Sequence, residues 1–141
     1  MKTNVDEYEI DEDRSRLDFD RVQTWLSETY WSPGVLQEKV EQAARHSYMV
    51  VGAYLNGEQV GYMRVVSDCT RFAYLADVFV DPAHRRKGIG RGLVKFALEH
   101  PDLIDVRSWL LSTTDAHGLY RDIGFSELRT PDYWMQLIRS W

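Results

Sequence analysis

A single cysteine, Cys69, in 141 residues rules out an internal disulfide and fits a reducing compartment. Its thiol reads as a loop or strand-end group beside Thr70 rather than as a nucleophile. No stretch of 18 apolar residues is present, which excludes a membrane-spanning helix of ordinary length. Met1 is followed by an acidic segment instead of a basic and apolar leader, so a soluble, cytoplasmic protein with no membrane partner is expected. Positive charge is in the minority: 17 Lys and Arg stand against 22 Asp and Glu, for a net charge of −5. Nucleic-acid binding wants a basic face with many phosphate contacts, and a chain of this balance does not offer one. The first 20 residues hold eight acids and three bases and so account for the whole net charge. Solvated charge is the plain reading of that segment, guidance of a cationic substrate the other. At this length a single domain over residues 1–141 is expected, burying roughly two-thirds of the unfolded surface.

What stands out against this background is residues 85–95, which carry five positive charges and three glycines with no acid. They follow an apolar, strand-like run at 74–80 and open a helical pattern of Ile89, Leu93, Phe96 and Ala97, so the glycines sit where a strand hands over to a helix. Unpaired backbone N–H groups at such a start, together with the positive end of the helix dipole, hold a phosphate. Spacing removes two common phosphate ligands. Leu93 stands where the dinucleotide fingerprint G-x-G-x-x-G needs its third glycine. Lys87 precedes Gly88 and no Ser or Thr follows, so the nucleoside triphosphate loop G-x-x-x-x-G-K-[ST] is absent too. What remains is R-x-x-G-x-G, read as Arg85-Arg86-Lys87-Gly88-Ile89-Gly90.

Elements alternate along the chain without repeats. A strand over 8–11 precedes a helix with Phe19, Val22, Trp25 and Leu26 on one stripe behind Asp18 as N-cap. The segment 30–34 breaks that helix, and a second runs from about Val35 to Arg45. Strands at 47–55 and 59–66 flank Asn56-Gly57, a strong hairpin turn. Then come a strand at 72–80, a helix at 88–99, a strand at 106–113, a short helix at 116–122 and a final strand at 133–138. The pattern predicts an αβ sandwich over a mixed sheet.

Residues 77–93, Asp77-Val78-Phe79-Val80-Asp81-Pro82-Ala83-His84 and the glycine loop through Leu93, resemble the coenzyme A pyrophosphate motif of the GNAT superfamily of acyl-coenzyme A N-acyltransferases. Residues 115–125, with Tyr120 in a short helix before Gly124-Phe125, resemble its second motif. The resemblance implies a GNAT-like α/β (α+β) fold, with a central mixed, mostly antiparallel sheet of about six to seven strands flanked by about four helices. It implies an N-acetyltransferase that moves an acetyl group from acetyl-CoA to a primary amine of a small molecule or protein by direct attack in a ternary complex, with no metal. Two other readings stand beside it: a coenzyme A-binding sensor or interaction module that has lost turnover, and an unrelated phosphate-binding αβ domain.

In the family's fold the strand ending at Val80 splays from the one ending near Thr113, and the cofactor's pantetheine arm lies in the gap. By resemblance, the amides of Arg86, Lys87, Gly88, Ile89 and Gly90 bond the pyrophosphate. Arg85 or Arg91 meets the ribose phosphate or is simply solvated. The strand Val78, Phe79, Val80 lies along the arm, with open amides at Phe79 and Val80 for pantetheine and the acyl carbonyl. Tyr120 matches the family's general acid: a phenol with a pKa near 10 stays protonated at neutral pH and can donate to a thiol of about 8.5. A packed aromatic is the alternative. For the base, Asp77 is close to where family members carry a carboxylate that reaches an ordered water, and a structural hydrogen bond is its other reading. His117 has a suitable pKa, with a solvent-facing or capping role as the alternative. Tyr30 and Trp31 fall where the family lines its acceptor pocket, while most other aromatics read as core. A homodimer through late strands, with the aromatic end at 133–141, stands beside a monomer.

Overall fold

The computed structural model describes residues 1–5 and 7–140, so Trp141 and its part in the aromatic end lie outside the described residues. In chain order the elements are β1 (Lys2–Val5), β2 (Tyr8–Asp11), α1 (Phe19–Ser27), α2 (Gln37–Arg45), β3 (Met49–Leu55), β4 (Glu58–Ser67), β5 (Phe72–Val80), α3 (Ile89–Glu99), β6 (Ser108–Leu110) and α4 (His117–Ile123). All six strands hydrogen-bond in one sheet in the order β1-β2-β3-β4-β5-β6. Every neighbouring pair is antiparallel except β5 and β6, which run parallel.

Local chemistry explains most boundaries. The Asp18 carboxylate accepts from the Arg21 amide at 3.1 Å and starts α1, which turns Val22, Trp25 and Leu26 inward. Leu36 offers no capping side chain, and α2 begins at Gln37, two residues later than the periodicity suggests. Asn56 and Gly57 both adopt positive φ, 52° and 82°, as the tight turn between β3 and β4 requires. Asp68 accepts from the amides of Thr70, Arg71 and Phe72, and these bonds hold its carboxyl below the usual range while closing the β4–β5 loop.

Two apolar clusters sandwich the sheet. On one face Ile89, Leu93, Val94 and Ala97 of α3 meet Ile10, Val51, Ala53, Met63, Val65 and Leu75. On the other, α1 and α2 place Val22, Trp25, Leu26, Val40 and Ala44 on Val50 and Tyr62. Each fully buried Leu, Ile or Val in these layers is worth about 1.5–3 kcal/mol against exposure.

Three elements differ from the sequence reading. The chain gains β1, which pairs with β2 from Lys2↔Asp11 to Val5↔Tyr8. The strand expected over 106–113 contracts to Ser108–Leu110, because β6 loses its only partner among the described residues where β5 turns away. The last expected strand, 133–138, is absent: a 3-10 turn at Pro131–Tyr133 leads into exposed, irregular chain that pairs with no strand among the described residues.

Candidate active site

The divergence of β5 from β6 makes the site. Their pairing stops at Tyr74↔Leu110, and beyond it a cleft of about 1350 Å³ opens between the end of β5, the exit of β6, α4, the glycine loop and the α1–α2 connection. A bulge in β5 shapes its wall. Arg64 pairs with Ala76 and Tyr62 with Phe79, so Asp77 and Val78 together oppose Met63 and drop out of the ladder. Asp77 carries the bend with φ 55°, a conformation that Asp tolerates better than most side chains.

Alternation then decides which peptides are open. The Asp81 amide bonds the Val60 carbonyl at 2.8 Å, so along the antiparallel ladder Phe79 also faces β4 and Val80 faces away. Consistent with this, the Val80 carbonyl accepts from Arg85 Nε at 3.0 Å on the cleft side. Of the two amides expected to be open, Val80 therefore offers its N–H to the cleft and Phe79 does not. Phe79 contributes its ring, stacked on Trp25 at 5.4 Å with the Arg85 guanidinium 5.2 Å from its centroid.

At the mouth of the cleft α3 begins without a cap. Gly88, at φ 82°, occupies the N-cap position and has no side chain to give, and the first intrahelical bond is Gly92 N–H to Gly88 O at 2.9 Å. The amides of Ile89, Gly90 and Arg91 thus have no acceptor within the helix. Arg86 is also left-handed, at φ 65°, and with Gly88 it curls the loop into a concave nest of N–H groups. A Cβ on Gly90 would lie 3.8 Å from Val80 Cγ2 and 4.0 Å from Leu119 Cδ2, between the two walls of the cleft. Arg85, Arg86 and Arg91 line the cleft as well, whereas the Lys87 side chain is exposed outside it. Arg91 stands 3.5 Å from Asp122 in an exposed ion pair. A concave, uncapped, cation-rimmed helix start fits a diphosphate.

Further in, Tyr120 is buried on α4, edge-on to Phe125 at 5.8 Å, and lines the cleft. Its hydroxyl has no hydrogen-bond partner among the described residues. Desolvation, followed by the nearby Tyr30 and Asp115, raises its pKa. His117 is exposed and does not line the cleft: Leu119 and Tyr120 of α4, with Ala116 at its N-cap, do.

Tyr30 and Trp31 line the opposite wall in mutual edge contact at 5.0 Å. Trp31 Nε1–H donates to Asp77 Oδ1 at 2.9 Å, and Arg64 Nε–H donates to Asp77 Oδ2 at 2.7 Å. Both carboxylate oxygens are thus committed, one to the α1–α2 connection and one to β4, which favours the structural reading of Asp77. Sequence reasoning missed Arg64, although a lone cation among the apolar residues of β4 was a usable signal. It also missed His84, which lines the cleft with Nδ1 3.1 Å from the hydroxyl of buried Tyr8.

The fold is an α/β sheet splayed at its one parallel pair, with a bulge in β5 and an uncapped, glycine-led helix at the mouth of the cleft. Residues 8–125 match the acetyltransferase (GNAT) family, and the chain belongs to it. A GNAT-family crystal structure from Xanthomonas campestris pv. campestris superposes with a TM-score of 0.89 at 38% identity, over 94% of this chain and 93% of that one. The GNAT-family acetyltransferase SP0256 of Streptococcus pneumoniae gives a TM-score of 0.71 at 27% identity, over 99% and 98%. In sequence, FG08082 of Gibberella zeae, which carries a provisional acetyltransferase name, is 28% identical over 149 aligned positions, 89% of this chain and 83% of its own.

Proposed function

We propose that this acetyltransferase takes its acetyl group from acetyl-CoA and passes it to a primary amine of a small molecule or protein by direct attack in a ternary complex. The observation that carries the reading is the run of unpaired amides from Arg86 to Arg91 at the mouth of a cleft that ends on the Val80 amide and the Tyr120 hydroxyl. When bound, acetyl-CoA supplies the thioester. The nest amides and the α3 dipole hold a diphosphate. The Val80 N–H donates to oxyanion charge, a backbone donor set in place by the β5 ladder. Tyr120 keeps a proton at Oη for a departing thiolate, and burial, by raising its pKa, keeps that proton in place at neutral pH. Tyr30 and Trp31 wall the acceptor side, and the Asp77 carboxylate fixes Trp31 there through the Arg64 ion pair. With both Asp77 oxygens taken and His117 outside the cleft, water removes the proton from the attacking amine. A reducing cytoplasm suits the lone thiol of Cys69.

Thermal melting tests the reading. Acetyl-CoA at a hundredfold excess over its dissociation constant should stabilise the chain by about 2.7 kcal/mol, while ATP and NAD leave it unchanged. Thiol release with a panel of primary amines then separates a transferase from a non-catalytic coenzyme A sensor. No melting shift with acetyl-CoA would sink the proposal.

A further inference from the structure

Charge is divided between the two walls of the cleft. At the start of α3 it is lined by Arg85, Arg86 and Arg91. On the side walled by Tyr30 and Trp31 the cations are taken. Arg64 donates to Asp77 Oδ2 at 2.7 Å and to Ser47 Oγ at 3.3 Å, and Lys39 has an interaction of its own. Asp115 is different. It lines the cleft just before α4, is exposed, and makes no hydrogen bond or ion pair among the described residues. Glu28, at the C-cap of α1, lines the same cleft and adds charge of the same sign.

Asp115 also stands near the reacting groups. The Ala116 N–H donates to Thr113 Oγ1 at 3.1 Å and closes the turn that presents the Asp115 carboxylate. Tyr120, only 8% exposed, reaches the same cleft with a hydroxyl that bonds nothing, yet is not sealed off like those of Tyr54 and Tyr62. Burial first, then Tyr30 and Asp115, raise the Tyr120 pKa, so the Asp115 charge acts on the phenol from within a screening length, about 10 Å. Tyr30, Trp31, Ala116 and Leu119 supply apolar surface around the two groups. An acceptor that suits this arrangement has one amine for the thioester, a short apolar spacer and a second, protonated amine for the carboxylate. A carboxylate in that second place would meet like charge.

We propose that the acceptor is a diamine, its second ammonium held by the Asp115 carboxylate while its neutral amine attacks beside Tyr120; this rests on the acetyl-transfer reading above. The amine nitrogen bonds the acyl carbon as the carbon–sulfur bond breaks. Sulfur takes the Tyr120 proton, the amine proton leaves to water, and water restores the phenol. Asp115 keeps its charge throughout and binds without taking part in proton transfer.

The test compares acceptors that differ only at the far end: alkyl chains from propane to hexane with an amine at one terminus and an amine, a methyl or a carboxylate at the other. With acetyl-CoA, thiol release should favour the best diamine over the matching monoamine by at least about tenfold in kcat/KM, the scale of one hydrogen bond to a charged group. The amino acid should be the poorest of the three. Asp115→Asn should raise the diamine KM about tenfold while kcat and both monoamine constants stay within about twofold, and Asp115→Glu should restore part of the preference. Calorimetry of the same amines on the coenzyme A-loaded chain reads the preference without turnover. A chain that binds the diamine selectively yet releases no thiol would uphold the Asp115 site and strike acetyl transfer alone. Equal affinity for diamine and monoamine, or no measurable binding of any diamine, overturns the proposal. So does an Asp115→Asn variant that keeps the preference or loses both acceptors alike.

Discussion

Tyr120 and Asp77 show how far a side chain's surroundings narrow its chemistry. Tyr120 lies in the cleft with an unused hydroxyl and a pKa raised by burial, so it stays protonated at neutral pH, as the proposed acid role requires. Tyr120→Phe should lower thiol release by about 100-fold, the scale of one positioned acid, with acetyl-CoA affinity by calorimetry unchanged. Undiminished release would remove the role. Asp77 has the opposite profile, with an acceptor bond on each oxygen and donors 46 and 13 residues away in sequence. In Asp77→Asn the left-handed backbone is tolerated and Trp31 keeps an acceptor, but the Arg64 ion pair is lost. The acceptor KM should rise several-fold while the pH–rate profile keeps its shape. Loss of the acidic limb of that profile would instead mark Asp77 as a general base.

At the scale of elements, the start of α3 trades helix stability for an open nest. Gly90 lies inside the helix, where glycine costs roughly 0.5–1 kcal/mol relative to alanine. Its added Cβ would meet only ordinary contacts, at 3.8 and 4.0 Å. Gly90→Ala should therefore melt at or above the wild-type temperature yet bind acetyl-CoA at least about tenfold more weakly, a split that calorimetry and melting read together. Gly88→Val should fail differently. At φ 82° a β-branched side chain strains the backbone by roughly 1–3 kcal/mol, so melting and binding fall together. An equal loss of stability in both variants would contradict the view that Gly90 is kept for ligand access.

For the molecule as a whole, two buried phenols shape the response to pH. The hydroxyls of Tyr54 and Tyr62 are enclosed without a hydrogen-bond partner, and burial pushes Tyr54 up to about 12 and Tyr62 further in the same direction. Both are neutral when protonated, and their pKa is higher folded than unfolded. Their contribution is complete below about pH 10, where the unfolded phenol still holds its proton, and is lost as pH rises through 10 toward the folded value. The melting temperature should be level from pH 7 to 9 and fall above 10, less steeply in Tyr62→Phe. At pH 7 that variant should also be as stable as wild type or more so, since the hydroxyl it removes bonds nothing.

The same scale separates what was legible in the chain from what was not. The Asn56-Gly57 turn, the Asp18 cap and the glycine nest could be read directly, because each depends on φ preferences and amides within a few residues. Tyr120 and the Tyr30-Trp31 pair were placed by motif and position, and the fold brings them to one cleft. The strand at 133–138 was misread, since apolar β-formers specify a strand only when the chain is laid along an edge that bonds it, and this segment is not. By itself the sequence determined the family, the glycine loop at the start of α3 and the order of the elements from β2 to α4. Only the tertiary structure decided that Val80 rather than Phe79 opens its amide, that Asp77 is bound on both oxygens and that the chain end is bare. Those outcomes depend on register and on contacts between segments far apart in the chain, which local preferences do not encode.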